Sequence, residues 1–176
     1  MNERLRLIAV NAIIAALYAA LTLAIAPLAY GQVQFRFSEI LVFLAFFNYK
    51  YIPGLILGCF IANLGSPMIA YDLVFGTLAT AIAVILISLS GRMKKQIPGL
   101  IASVLAGTVP NALIVGLELT LAFGDPFPVN ALYVGIGEAA VLALGAVIFY
   151  GISKIPSVRR ILNGSFLYGS VPASAR

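Results

Sequence analysis

Asn48-Tyr49-Lys50-Tyr51-Ile52-Pro53-Gly54 decides how often this chain crosses a membrane. The stretch separates two apolar segments, 38–47 and 53–64. Each is shorter than the ~20 residues of a perpendicular span. One merged helix would carry a charged middle. Two short or tilted helices account for Lys50 and Pro53 together, because Lys50 then extends its ammonium to an interface.

The distribution of charge favours the split. The remaining apolar runs cover 7–26, 71–90, 98–123 and 130–152, so the split predicts six spans with both termini on one side. Ten of the eleven Lys and Arg residues then fall on the side of the termini: Arg4, Arg6, Lys50, Arg92, Lys94, Lys95, Lys154, Arg159, Arg160 and Arg176. Arg36 alone falls opposite. Such a bias marks a cytoplasmic face. A merged helix would give five spans and scatter the later basic loops over both sides. The whole composition agrees: 62% hydrophobic, 10% charged, mean hydropathy +1.07, against roughly 25% charged in soluble domains. The reading is an all-α, multi-pass membrane protein. Residues 1–162 form a single six-helix transmembrane domain, and the small, polar tail 163–176 is expected to be poorly ordered.

Several function classes drop out. There is no histidine, so imidazole metal sites and Ser-His-Asp chemistry are excluded, and no metal site is expected. Cys59 is the single cysteine and reads as a small buried packing residue. The net charge of +5 comes from scattered bases rather than bases interleaved with aromatics, so no nucleic-acid partner is expected. Arg4 and Arg6 before an apolar run resemble a signal peptide, but the run continues to Pro27, longer than a 7–15-residue apolar core. No G-x-x-x-x-G-K-[ST] sequence is present, so the chain is expected to bind no nucleotide triphosphate.

The acids divide opposite to the bases. Glu39 stands at the outer start of span two and Asp72 at that of span four; Glu118 and Glu138 lie inside the outer halves of spans five and six. Four carboxylates from four helices thus share a depth, with Arg36 as the nearby cation. Near a helix end, Glu39 and Asp72 serve equally as solvated or capping groups. Glu118 and Glu138 interrupt apolar runs within the membrane, where an ionisable side chain is costly unless it is used. Asn111 is seven residues before Glu118 and shares its face. Tyr133, Tyr71 and Asn63 are candidate neighbours, with interfacial anchoring of the tyrosines and helix capping by Asn63 as the alternatives. Arg36 either contacts a ligand carbonyl or bridges to Glu39 and fixes the loop. Such a pocket suits a small polar ligand that offers donors, or a cation. A guanine-like edge would present two donors to one carboxylate.

Span one carries Ala12, Ala16 and Ala20 on one helix face, with Ala15 and Ala19 beside them. A flat alanine face lets another helix approach closely, from the same chain or from a partner.

Val33-Gln34-Phe35-Arg36-Phe37-Ser38-Glu39, Ala62-Asn63-Leu64-Gly65-Ser66-Pro67 and Tyr71-Asp72-Leu73-Val74-Phe75-Gly76-Thr77-Leu78-Ala79-Thr80, together with six short spans and the alanine-rich first helix, resemble the QueT family. These are substrate-binding S components of energy-coupling factor (ECF) transporters. The resemblance implies an S-component bundle with cytoplasmic termini in a bacterial cell membrane. It implies a queuosine precursor as ligand, notably 7-aminomethyl-7-deazaguanine, a cationic guanine analogue. It also implies docking through Ala12 and Ala16, with Ala15, Ala19 and Ala20, onto a transmembrane coupling protein that works with two cytosolic ATPases. ATP would then be used by the partners, with no cofactor on this chain. The loop 28–38 would act as a lid. Related S components take other vitamin precursors, including hydroxymethylpyrimidine and pyridoxine-like compounds, so a different ligand in the same transporter class is the first alternative. A stand-alone proton-coupled carrier is the second; the lack of an inverted repeat counts against it. An intramembrane enzyme is disfavoured because no nucleophile-base pair is visible.

Overall fold

A computed structural model describes residues 2–31 and 33–168. Every regular element among them is helical. Helix α1 spans Glu3–Ala24, opened by the Asn2 side chain, which accepts from the Arg4 N–H. It stops at Ile25, and Pro27 falls in the following single turn, α2, Ala26–Ala29. A loop leads to a 3-10 segment, Phe37–Val42, which runs directly into α3, Phe43–Phe47.

The break at Asn48 has a local cause. Asn48 adopts an extended conformation (φ −154°, ψ 111°), which ends α3, and its side chain accepts from the Lys50 N–H at 3.0 Å. That contact starts the turn Tyr49–Tyr51, and α4, Ile52–Asn63, follows with Pro53 in its first turn, where a missing N–H is harmless. Helices α5 (Ile69–Ser90), α6 (Gln96–Phe123), α7 (Phe127–Ile152) and α8 (Pro156–Leu162) complete the chain. Among the described residues, α1, α5, α6 and α7 are long and apolar enough to cross a membrane. The two segments around Asn48 are shorter. At ~2.0 Å per residue for the 3-10 part and ~1.5 Å for the α part, Phe37–Phe47 reaches about 20 Å. Helix α4 reaches about 18 Å, against ~30 Å of hydrocarbon.

Helix α6 packs between α5 and α7, while α4 lies between α1 and α5. Small residues set these approaches, as expected where lipid leaves packing to hold helices together. A Cβ on Gly116 would stand 2.8 Å from the Ala131 Cα, so α6 and α7 touch backbone to backbone there. Gly58 does the same for α4 and α1: its Cβ would meet Tyr18 Cβ at 2.6 Å and Ala15 Cα at 3.0 Å. Gly58→Ala is therefore expected to destabilise the bundle by about 1–3 kcal/mol. Thermal unfolding in detergent checks this.

The alanines of α1 divide. Ala15 and Ala19 are buried, Ala15 directly beneath Gly58, whereas Ala12, Ala16 and Ala20 face outward. The larger core gathers Val42, Phe43, Leu55, Cys59, Ile87, Leu142 and Phe149; a smaller one, Ala79, Val115, Leu119 and Val134, lies nearer the end formed by the α1–α3, α4–α5 and α6–α7 loops. Outside, Ile8, Leu132 and Val147 are among many largely exposed apolar side chains, a belt that water would penalise and lipid tails would not.

At the other end, the chain after α7 folds back. Tyr51 Oη donates to the Ile161 carbonyl at 2.8 Å, Asn48 Nδ2 donates to the Asn163 carbonyl at 3.3 Å, and Leu162 and Leu167 are buried in the larger core. The tail expected to be loose from residue 163 thus begins as a packed turn, Ser165–Tyr168. Residues 169–176, including Arg176, lie outside the described residues.

Candidate functional site

Arg36 is the hub of the loop end. It is buried, its Nε donates to the Ala29 carbonyl at 3.2 Å, and its Nη2 forms an ion pair with Asp72 Oδ1 at 2.9 Å. Its Cζ lies 5.7 Å from the Tyr30 ring centre. Burial pushes the Tyr30 phenol above its ordinary range, and the hydroxyl donates to the Ala62 carbonyl at 2.5 Å. Gly76 makes room for the guanidinium: a Cβ there would stand 3.3 Å from Arg36 Nη1.

The bridge predicted as one possibility, Arg36 to Glu39, is not the one formed. Residue 39 sits at the start of the 3-10 segment, and its side chain turns inward towards α1 and α5, leaving Asp72 on α5 to meet the guanidinium. Asp72 is held from every side. Its Oδ2 accepts from Ser66 Oγ, and Asn63 Nδ2 donates to its carbonyl at 2.8 Å and to Thr77 Oγ1 at 3.2 Å. These contacts tie the α1–α3 loop and the end of α4 to α5.

The other three carboxylates are held less completely. Glu39 Oε1 accepts from Tyr18 Oη and, at 3.1 Å, from Thr80 Oγ1, while its Oε2 meets no donor among the described residues. Glu138 Oε1 accepts one long bond, 3.4 Å, from Asn111 Nδ2, which also donates to the Gly107 carbonyl at 3.0 Å. Glu118 is fully buried, and neither of its oxygens meets a donor among the described residues. All belong to one electrostatic cluster. Glu118 interacts with Asp72 and Arg36, and Glu138 with Glu39 and Arg36. Among the described residues no three of His, Cys, Asp and Glu converge tightly enough to hold a metal ion.

Four buried carboxylates and one arginine make an unbalanced site. A buried charge without a partner is expensive, and so is a buried acceptor without a donor. A ligand rich in N–H donors, or carrying positive charge, relieves both penalties.

The remaining expected residues are placed as follows. Asn63 and Asn111 lie in the cluster through the contacts above. Tyr71 and Tyr133 are 39% and 42% exposed, and the Tyr71 ring stacks on Phe75 at 6.3 Å, so neither is buried with the acids. Within the α1–α3 loop, Gln34 is buried and holds a left-handed φ of 49°, uncommon for a residue with a side chain. Gly137 lets this loop lie on α7, since a Cβ there would collide with the Val33 carbonyl.

Five polar residues escaped the reading of the sequence: Tyr18, Thr22, Ser38, Ser66 and Thr80. Tyr18 and Thr22 grip the Ser38–Glu39 turn from α1, Thr22 Oγ1 lying 2.6 Å from Ser38 Oγ. A signal was present. Asn11, Tyr18 and Thr22 fall on one helix face of an otherwise apolar span, where polar groups need partners.

The model of the QueT transporter family matches residues 8–154, which include every carboxylate of the cluster. The chain is 34% identical over 152 residues to the queuosine precursor transporter QueT of Lactococcus lactis subsp. cremoris (strain MG1363), covering 81% of this chain and 89% of that relative. No solved structure matches it. With apolar helices long enough to cross a bilayer and a buried polar cluster between them, this multi-pass membrane protein belongs to the QueT transporter family.

Proposed function

We propose that this chain is the substrate-binding S component of an ATP-driven ECF importer, and that its ligand is a cationic 7-deazaguanine such as 7-aminomethyl-7-deazaguanine. The observation that carries the reading is Glu118: a fully buried carboxylate with both oxygens lacking a donor among the described residues. The N1–H and exocyclic amine of a guanine edge are two parallel donors, which one carboxylate accepts as a pair. The aminomethyl cation then has Glu138 and the open Oε2 of Glu39 to choose from. Arg36, committed to Asp72, positions the loop rather than neutralising the ligand's partners. The relative's name, a queuosine precursor transporter, agrees with this chemistry.

The carboxylate cluster faces the exterior in this reading, with six spans and both termini in the cytoplasm. Lys50, Arg92, Lys94, Lys95 and Lys154 lie together at the end away from the cluster, as positive-inside topology requires. Purified protein should bind one 7-aminomethyl-7-deazaguanine per chain, and guanine, which lacks the aminomethyl cation, at least tenfold more weakly. Tighter binding of hydroxymethylpyrimidine or a pyridoxine-like compound would replace the ligand class.

Energy would come from partners that dock on the outward face of α1. Ala12, Ala16 and Ala20 are exposed, while Ala15 and Ala19 are occupied in packing within the chain. Ala16→Leu is expected to leave ligand affinity within about twofold and to abolish ATP-driven uptake in cells, because a leucine holds a partner helix away. Uptake at the parental rate would remove this face from the coupling surface. Uptake that continues without any ATPase would favour a stand-alone carrier.

A further inference from the structure

We infer that the end of the bundle opposite the carboxylates holds a site for the phosphate headgroup of an anionic phospholipid, between the start of α6 and the end of α7. A cavity of about 330 Å³ opens there, lined by Lys95, Gln96, Ile97, Pro98, Tyr150 and Lys154. Lys95 and Lys154 both line it, and no acid does. Contacts hold one side of it in place. Lys154 Nζ sits 4.4 Å from the centre of the Tyr150 ring. Gln96 Nε2 donates to Ser153 Oγ at 2.7 Å, and Ser153 Oγ donates in turn to the Tyr150 carbonyl at 2.8 Å. Helix α6 begins here without a side-chain cap, so the positive end of its dipole adds to the two lysines. Basic pockets between transmembrane helices at the headgroup level are suited to anionic lipids.

The surface beside the cavity separates a phospholipid from a free phosphate. Ile97, Ile101 and Leu105 stand at i, i+4 and i+8 on α6, each more than half exposed. They form an apolar track that leads from the cavity along the helix. A headgroup in the cavity places an acyl chain on that track; a free ion would leave it unused. The inference does not depend on the ligand proposed for the carboxylate cluster.

Native mass spectrometry of the purified protein in equal amounts of phosphatidylglycerol and phosphatidylcholine tests the site. The parental chain should retain phosphatidylglycerol at least fivefold over phosphatidylcholine. Lys95→Ala/Lys154→Ala should abolish that preference. Arg92→Ala/Lys94→Ala removes the same charge from the adjoining loop and should preserve it. Unchanged preference in the first variant, or equal loss in the second, overturns the site. Displacement of the lipid by inorganic phosphate at matched concentration would assign the cavity to a free anion and also overturn it.

Discussion

Glu118→Gln is expected to weaken binding of 7-aminomethyl-7-deazaguanine by about 3 kcal/mol, roughly a hundredfold in Kd. The substitution preserves shape and removes one acceptor. The new amide N–H₂ would face a ligand N–H, donor against donor, so one bond of the pair is lost and the other loses its ionic character. The effect on the unliganded protein should have the opposite sign. Both Glu118 oxygens are buried with no donor among the described residues. A neutral amide replaces a buried acid that lies beside a like acid, Asp72. Thermal unfolding without ligand should therefore occur at the parental temperature or higher, while calorimetric titration shows the loss of affinity. A purely structural role for Glu118 predicts the reverse pair of results.

Arg36→Ala should cost about 3–5 kcal/mol of stability, the usual penalty for breaking a buried ion pair by removing one partner. Asp72 would keep Ser66 but lose its counter-charge, and the Ala29 carbonyl would lose its donor. Four carboxylates would then share the loop end without a cation. The double variant Arg36→Ala/Asp72→Ala should recover part of that loss, because it no longer strands Asp72. Thermal unfolding of the two single variants and the double variant measures this coupling. Additive losses would show that Arg36 and Asp72 act independently.

The helices were legible in the sequence where their causes are local. The predicted segments 71–90 and 98–123 correspond to Ile69–Ser90 and Gln96–Phe123, within about one turn at their starts. Asn48, Lys50 and Pro53 announced the break between α3 and α4 because an extended residue, its own side-chain cap and a first-turn proline act within a few positions. The convergence of Glu39, Asp72, Glu118 and Glu138 was legible as shared depth, since each falls at a countable distance from a helix end.

Pairing within that depth was not. Whether Arg36 meets Glu39 or Asp72 depends on which way a short 3-10 turn points its side chains, and that is set by Tyr18, Thr80 and Ser66 from three other parts of the chain. The alanine stripe was ambiguous for a similar reason. Small residues permit close approach from either side of a helix, and only the position of Gly58 shows that Ala15 belongs to the interior. The residues just past 162 read as a polar tail because the apolar stretch Phe166-Leu167-Tyr168 is far too short to mark a span, although Leu167 packs into the larger core.

Mass spectrometry of small molecules released from the purified protein tests the central claim most directly. From cells that make queuosine precursors, the parental chain should release one compound per chain with the mass of 7-aminomethyl-7-deazaguanine, and Glu118→Gln should release almost none. An anionic compound in its place, or an equal yield from both proteins, would contradict the assignment of these buried acids to a cationic guanine ligand.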